Sequence, residues 1–235
     1  PLTGLMKSIP GVAQVLTAGD PLPEFDLHAP FGSLPLALKT TIDTIPSRTP
    51  YLRAPAESEA AIGLDESSGS PSVRGPLVGV CWAGNPDYPL DHNRSIPLSI
   101  FGRLFQVPGV RFVSLQQNLR PGDDEILAGY DDVNLTSIAK SKGLADTAAM
   151  ISKLDLVITV DTVIGHLAGA LGRPVWILVS FSAYWAWLRG RTDSPWYPSA
   201  RLFRQPGIGD WGSVVEDVAG VLANAAGLGP PLSQR

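Results

Sequence analysis

The chain has 235 residues, of which 44% are hydrophobic and 17% charged, with a formal net charge of -4. That length holds one large domain, or one domain and part of another, and the sparse, acidic charge excludes the basic footprint of a nucleic-acid binder. The single cysteine, Cys81, excludes an internal disulfide framework and points to a reducing, cytoplasmic setting. Cys81 sits in an apolar run, where a packed core thiol is expected rather than a nucleophile. No apolar run reaches the roughly 18 to 20 residues needed to cross a bilayer. The first residues lack the charged and apolar regions of a signal peptide. The chain opens on Pro1 and runs straight into PLTGLMKSIPGV, which reads as the interior of a longer protein.

In chain order, residues 1–53 mix short apolar pieces with many prolines. Within them AQVLTAGD and FDLHAP read as short strands ending in loops. Residues 54–76 are rich in Ala, Ser, Glu, Gly and Pro and read as an exposed connector. From Leu77 the pattern changes. LVGVCW, RFVSLQ, LDLVITV and PVWILVS are compact apolar runs of the kind that form strands covered on both faces. Helical segments alternate with them: PLSIFGRLF, with proline in the first turn; DTAAMISKL, opened by a capping Asp; TVIGHLAGALG, closed by a glycine; and DWGSVVEDVAGVLANAAG, with apolar residues at helical spacing. Alternation of this sort predicts crossover units, a parallel sheet and an α/β fold.

In parallel sheets of this class, ligands bind beyond the carboxyl ends of the strands. Asp161 and Thr162 fall at that end of LDLVITV, and the helix after them offers unpaired amides and a positive dipole end to a phosphate. Gly165 would let a ligand approach the first turn, and His166 could donate to a phosphate or sugar oxygen. Asp161, being anionic, suits a ribose hydroxyl, an amide or a cation. Asp-Thr is also a common helix cap, and a first-turn His can simply satisfy a carbonyl. Other strand ends add to the pattern. The loop after LVGVCW carries Asn85, Asn93 and Arg94, the last a fork suited to phosphate. Gln116 ends RFVSLQ with an amide able to read a base or sugar. The loop after PVWILV holds Tyr184, Trp185, Trp187, Trp196 and Tyr197, which either line a site or cover the core. Neither GxGxxG after the first strand nor GxxxxGKS/T is present, so dinucleotide dehydrogenases and P-loop enzymes are disfavoured. CxxC pairs, spaced His clusters and a GxSxG elbow are also missing, which argues against structural zinc and an α/β-hydrolase.

Several segments, in order, carry a resemblance: VGVCWAGNP, NRSIPL, FVSLQ, DTAAMISKLDLVITVDTVIGHLAGALGRPVW, DSPWYPSARLFRQ and GDW. Together they resemble the C-terminal catalytic region of bacterial tetratricopeptide-repeat glycosyltransferase-like proteins. That group is similar to the heptosyltransferases of glycosyltransferase family nine and, more distantly, to O-linked N-acetylglucosamine transferases. The stretch PGVAQVLTAGDPLPEFDLHAPFGSLPLAL resembles the end of the family's N-terminal Rossmann-like domain. The resemblance implies a GT-B architecture. Residues 1–53 would be the end of an acceptor-side domain, 54–76 a connector, 77–227 the nucleotide-sugar-binding domain and 228–235 a tail. It implies a nucleotide-diphosphate sugar donor, a protein or glycan acceptor, no metal or other cofactor, and tetratricopeptide repeats upstream in a parent protein. Carried over by position, Asp161, Thr162, Gly165 and His166 match the donor-phosphate turn, and Arg94 the cation after the first strand. Gln116 and Asp146 fall where nucleoside contacts are expected, although Asp146 equally suits a helix cap. His28 is the one candidate base in the retained portion, with a structural role beside a proline turn as the plainer alternative. Two other functions fit the same residues: a non-catalytic binding module of this fold, and a nucleotide-sugar epimerase.

Overall fold

The computed structural model describes residues 2–61, 75–130, 135–137 and 143–227. The amino-terminal arm carries three short helices, α1 (Thr3–Met6), α2 (Leu34–Ala37) and α3 (Ala56–Ala61). The strands and helices of the main body follow as β1 (Leu77–Cys81), α4 (Asp91–Arg94), α5 (Leu98–Phe101), β2 (Arg111–Ser114), α6 (Asp123–Ala128), β3 (Leu135–Ser137), α7 (Leu144–Ile151), β4 (Leu156–Val160), α8 (Val163–Ala170), β5 (Val175–Val179), β6 (Ala200–Arg204) and α9 (Trp211–Gly227).

The six strands form one parallel sheet in the order β3-β2-β1-β4-β5-β6. Every residue of β4 and β5 is buried, as continuous apolar runs rich in Val and Ile require when helices cover both faces. One core, built on Trp82, Phe101, Phe105, Phe112 and Val218, lies under α5 and α9. A second, built on Met150, Leu167, Ile177 and Trp187, lies under α7 and α8 on the other face. The chain leaves β1 towards β2 on one side and returns to β4 on the other. That reversal opens a crevice at the carboxyl ends of β1 and β4.

Close packing of α8 on the sheet depends on two glycines. A Cβ at Gly165 would come within 3.3 Å of both Ile177 and Thr159, and one at Gly169 would strike the Tyr197 ring at 2.4 Å. Gly165 therefore faces the sheet rather than the ligand edge, a correction to its expected role.

Four of the expected strands form. Two more, β3 and β6, were not anticipated. In β6 the two arginines, Arg201 and Arg204, interrupt the apolar run because the strand sits at a sheet edge. The expected strands AQVLTAGD and FDLHAP do not form, and no strand occurs among the described residues of the arm. A strand needs a neighbour for its amides and carbonyls, and nothing in the described chain pairs with these. Leu22, Phe25, Leu27, Phe31, Leu36 and Leu38 consequently stand exposed. The ends of the arm are anchored nonetheless. Leu5 is fully buried in the second core, and the Tyr51 and Leu52 amides both donate to the Ala170 carbonyl at 3.0 and 3.2 Å. The expected connector is partly helical, because α3 packs on α7 and the Lys153 amine donates to the Glu59 carbonyl at 3.2 Å. Residues 62–74 and the tail 228–235 lie outside the described residues. Replacing Leu5 with Ala should cost about 2–5 kcal/mol in urea unfolding, the range for a buried leucine; an unchanged midpoint would mean that the arm does not dock.

Candidate functional site

Two cavities open at the carboxyl edge of the sheet. The smaller, about 360 Å³, sits in the crevice between β1 and β4, lined by Asn85, Arg94, Gln116, Asn118, Leu144 and Thr162 among others. Its volume falls within the usual range for small-molecule sites. The larger, about 950 Å³, lies beyond Ala83, which borders both.

Arg94 is positioned by charge and by the chain that precedes it. Its Nε donates to Asp91 at 3.1 Å and its Nη1 to the Asp161 carbonyl at 3.0 Å, while the Tyr88 ring lies 4.7 Å from the guanidinium carbon. Nη2 has no hydrogen bond among the described residues and remains a donor on the cavity wall. Gly84 leaves the space this requires, since a Cβ there would come 2.6 Å from Nη2. Asp91 is buried and also accepts from the Ser95 hydroxyl at 2.8 Å and from Arg120. The sequence reading did not single out Asp91, Arg120 or Tyr88. The Asp-x-x-Arg spacing within α4 was a visible local signal for Asp91, whereas Arg120 reaches it only through the tertiary fold.

Thr162 caps α8, its hydroxyl accepting from the Ile164 amide at 3.3 Å and meeting the Thr159 hydroxyl at 3.2 Å. Asp161 is half-buried just before this cap, so its carbonyl ties Arg94 to the start of the helix. His166 lies one turn further along α8, stacked on Trp187 with ring centroids 5.0 Å apart and with Nδ1 3.1 Å from the Tyr197 hydroxyl. Burial lowers its pKa below 6.5, with Asp161 partly opposing the shift. The imidazole is therefore neutral at pH 7. Burial together with the neighbouring Tyr51 phenol raises the Tyr197 pKa, so that hydroxyl keeps its proton. His166 does not line the smaller cavity, but Asp161 adjoins both it and Arg94.

The structure uses Gln116 differently from the expected nucleoside contact. Its Oε1 accepts from the Trp82 and Ala83 amides at 3.2 and 3.0 Å, and its Nε2 donates to the Ala83 and Asn118 carbonyls at 3.1 and 3.0 Å. The side chain is a staple between the ends of β1 and β2, with both functions of the amide engaged. Asn85 accepts from the Asp87 amide at 3.1 Å and shapes its own turn. Asn93 is exposed on the larger cavity. Asp146 is half-buried in the first turn of α7 and lines neither cavity. His28 is exposed on the arm, edge-on to Phe25 at 6.0 Å, and it too lines neither cavity. Among the described residues, no contact ties His28 to either cavity. Cys81 is buried, and desolvation pushes its pKa up to about 11, so it remains a thiol as expected of a core cysteine. Among the described residues, no group of three or more His, Cys, Asp or Glu could hold a metal ion, and no helix is long and apolar enough to cross a membrane.

Comparison with known proteins bears on this edge. The model of glycosyltransferase family 9 (heptosyltransferase) matches residues 122–181, the segment from α6 to the end of β5 that contains Asp161, Thr162 and His166. Protein FlbA of Caulobacter vibrioides is 28% identical over 208 residues, covering 86% of this chain and 34% of that protein. Among solved structures, the Escherichia coli ADP-heptose lipopolysaccharide heptosyltransferase II aligns with a TM-score of 0.52 at 18% identity, covering 78% of this chain and 57% of that one. E. coli heptosyltransferase WaaC with ADP-2-deoxy-2-fluoro heptose aligns with a TM-score of 0.51 at 16% identity, covering 82% and 53%. The chain thus spans about a third of the curated relative that it matches and little more than half of these structures. It is an α/β protein whose parallel-sheet fold is similar to that of GT-B heptosyltransferase structures, and the stretch similar to glycosyltransferase family 9 covers the strand, turn and helix of its switch-point crevice.

Proposed function

We propose that the chain is the donor-binding part of a glycosyltransferase that moves a sugar from a nucleotide-diphosphate sugar to a protein or glycan acceptor. The observation that carries the reading is Arg94: two of its nitrogens are fixed, and the third faces a 360 Å³ cavity at the capped start of α8. A leaving diphosphate there would meet the guanidinium and the positive end of the helix dipole. Donors held in place before the reaction stabilise developing charge without reorganising. Because this arrangement already supplies positive charge, the proposed transfer is metal-independent. Leu115, Leu144 and Ile164 offer apolar surface to a nucleoside within the same cavity. When Tyr197 donates to Nδ1, neutral His166 carries its proton on Nε2, and a diphosphate that extends past Asp161 beyond the cavity lining would meet it as a donor.

The acceptor hydroxyl needs a general base. The exposed position of His28 favours a second reading, a non-catalytic nucleotide-sugar-binding module. Product analysis with a radiolabelled donor separates the two, and it also separates transfer from epimerisation. The same proposal places the chain in the cytoplasm, downstream of tetratricopeptide repeats in a longer protein.

Thermal shift with UDP, GDP and ADP should show stabilisation by at least one of them; indifference to all three would remove the transferase reading. Arg94→Ala and His166→Ala should each weaken the binding nucleotide by about 1–3 kcal/mol in calorimetry, the range for charge-assisted hydrogen bonds. Burial also gives His166 a pH signature. Its folded pKa lies below the reference value of 6.5, so the unfolded chain takes up the proton first. The stability present above that value is then lost as pH falls through the folded pKa. Urea unfolding should lose more stability on acidification in the wild type than in His166→Gln. Parallel curves would contradict the burial.

A further inference from the structure

We propose that Tyr197 is a positioning residue for His166: its hydroxyl donates to Nδ1 and so holds the single ring proton on Nε2. The consequence for a bound diphosphate rests on the transferase reading, whereas the place of the proton does not.

Two parts of the chain that are far apart in sequence meet here. His166 lies on α8, and Trp187 and Tyr197 lie in the loop from β5 to β6. Trp187 is fully buried and stacks on the imidazole at an interplanar angle of 22°, which fixes the plane of the ring. The Tyr197 ring meets the imidazole edge-on, with centroids 5.8 Å apart, and its hydroxyl sits 3.1 Å from Nδ1. Gly169 follows His166 by three residues, on the same side of the helix. Its missing side chain admits the phenol, since a Cβ there would come 2.4 Å from the Tyr197 ring. Tyr197 is itself buried, and its carbonyl accepts from the Ala200 amide at 2.9 Å where β6 begins.

The direction of the hydrogen bond follows from basicity. A neutral imidazole has one N–H and one bare nitrogen, and the bond made at one of them decides the other. Tyr197 keeps its proton, because burial and the adjacent Tyr51 phenol both oppose its ionisation. That proton has two candidate acceptors, Nδ1 of His166 and the oxygen of Tyr51. Imidazole takes up protons near neutral pH and a phenol oxygen does not, so Nδ1 is the acceptor. Tyr51 then donates to the Tyr197 oxygen, and no hydroxyl proton in the series is left over. The opposite arrangement, with Nδ1–H donating to Tyr197, would leave Nε2 bare. An anionic oxygen there would meet a lone pair instead of a proton. Nε2 makes no hydrogen bond among the described residues and, unlike Trp187 Nε1, is not sealed from solvent.

Long-range proton–nitrogen NMR on the 235-residue chain with isotope-labelled histidine tells a protonated ring nitrogen from a bare one. The chain has three histidines, and the signals of His166 are those missing from His166→Gln. Above neutral pH, His166 should carry its proton on Nε2 and leave Nδ1 bare. A proton on Nδ1 in the wild type overturns the proposal with no variant needed. Tyr197→Phe keeps the ring over Gly169 and removes only the hydroxyl, so the preference for Nε2 should give way to a mixture. An unchanged pattern in that variant overturns the proposal as well. Tyr51→Phe leaves the donor to Nδ1 in place, and a switch to Nδ1–H there would also count against it. In calorimetry, the nucleotide that stabilises the chain should bind Tyr197→Phe several-fold more weakly, and equal affinity would end the positioning role. If UDP, GDP and ADP all fail to bind while the proton sits on Nε2, the transferase reading falls and the proton assignment stands. If a nucleotide binds and the proton sits on Nδ1, the reading stands and this proposal falls.

Discussion

Asp91 is buried at the end of β1 with two arginines and a serine hydroxyl around it, and the shape of the carboxyl edge follows from that cluster. Removing a carboxylate from water is costly unless its oxygens are fully engaged. Here they are, by groups from α4, from the turn after it and from the loop after β2. The cluster therefore ties the loop after β1 to the loop after β2. In doing so it directs Arg94 towards the Asp161 carbonyl and divides the edge into two cavities with different electrostatics. One cavity keeps an uncommitted guanidinium nitrogen. The other keeps an uncommitted carboxylate oxygen, Oδ1 of Asp123.

The α8 side of the edge is built on a different physical basis. Thr162 takes up one orphan amide of the first turn, and the glycines at 165 and 169 let the helix lie close against Thr159, Ile177 and Tyr197. Tight packing of this kind holds the helix start in register with β4, and so with the Arg94 that spans to it. His166 belongs to the same packing, between the Trp187 face and the Tyr197 hydroxyl, and its neutrality is a consequence of that burial. Trp187 and Tyr197 of the loop from β5 to β6 thus cover the core, one of the two alternatives that its aromatic content left open, and they also flank His166.

The arm shows what happens where such support is missing. Leu5, Tyr51 and Leu52 dock because α7 and α8 present a core and a free carbonyl to them. Between these anchors the apolar residues from Leu22 to Leu38 find no second layer among the described residues, and large apolar groups stand exposed.

Local pattern alone determined the α/β class, the four central strands and the long helices, because burial on both faces demands unbroken apolar runs and helices demand their own period. It also marked Arg94 and the Asp161–Thr162 turn, since strand ends and helix caps are properties of adjacent residues. Tertiary structure decided the rest. Edge strands β3 and β6 carry too few apolar residues to announce themselves, and the arm could not become strand without a neighbour. Gln116 looked free to read a ligand, yet the backbone ends of β1 and β2 claimed both ends of its amide. Gly165 looked like an opening for a ligand, yet the sheet lies behind it. A hydrogen bond or a packing contact between residues distant in the chain has no signature in either residue's neighbours, and so only folding could assign those roles.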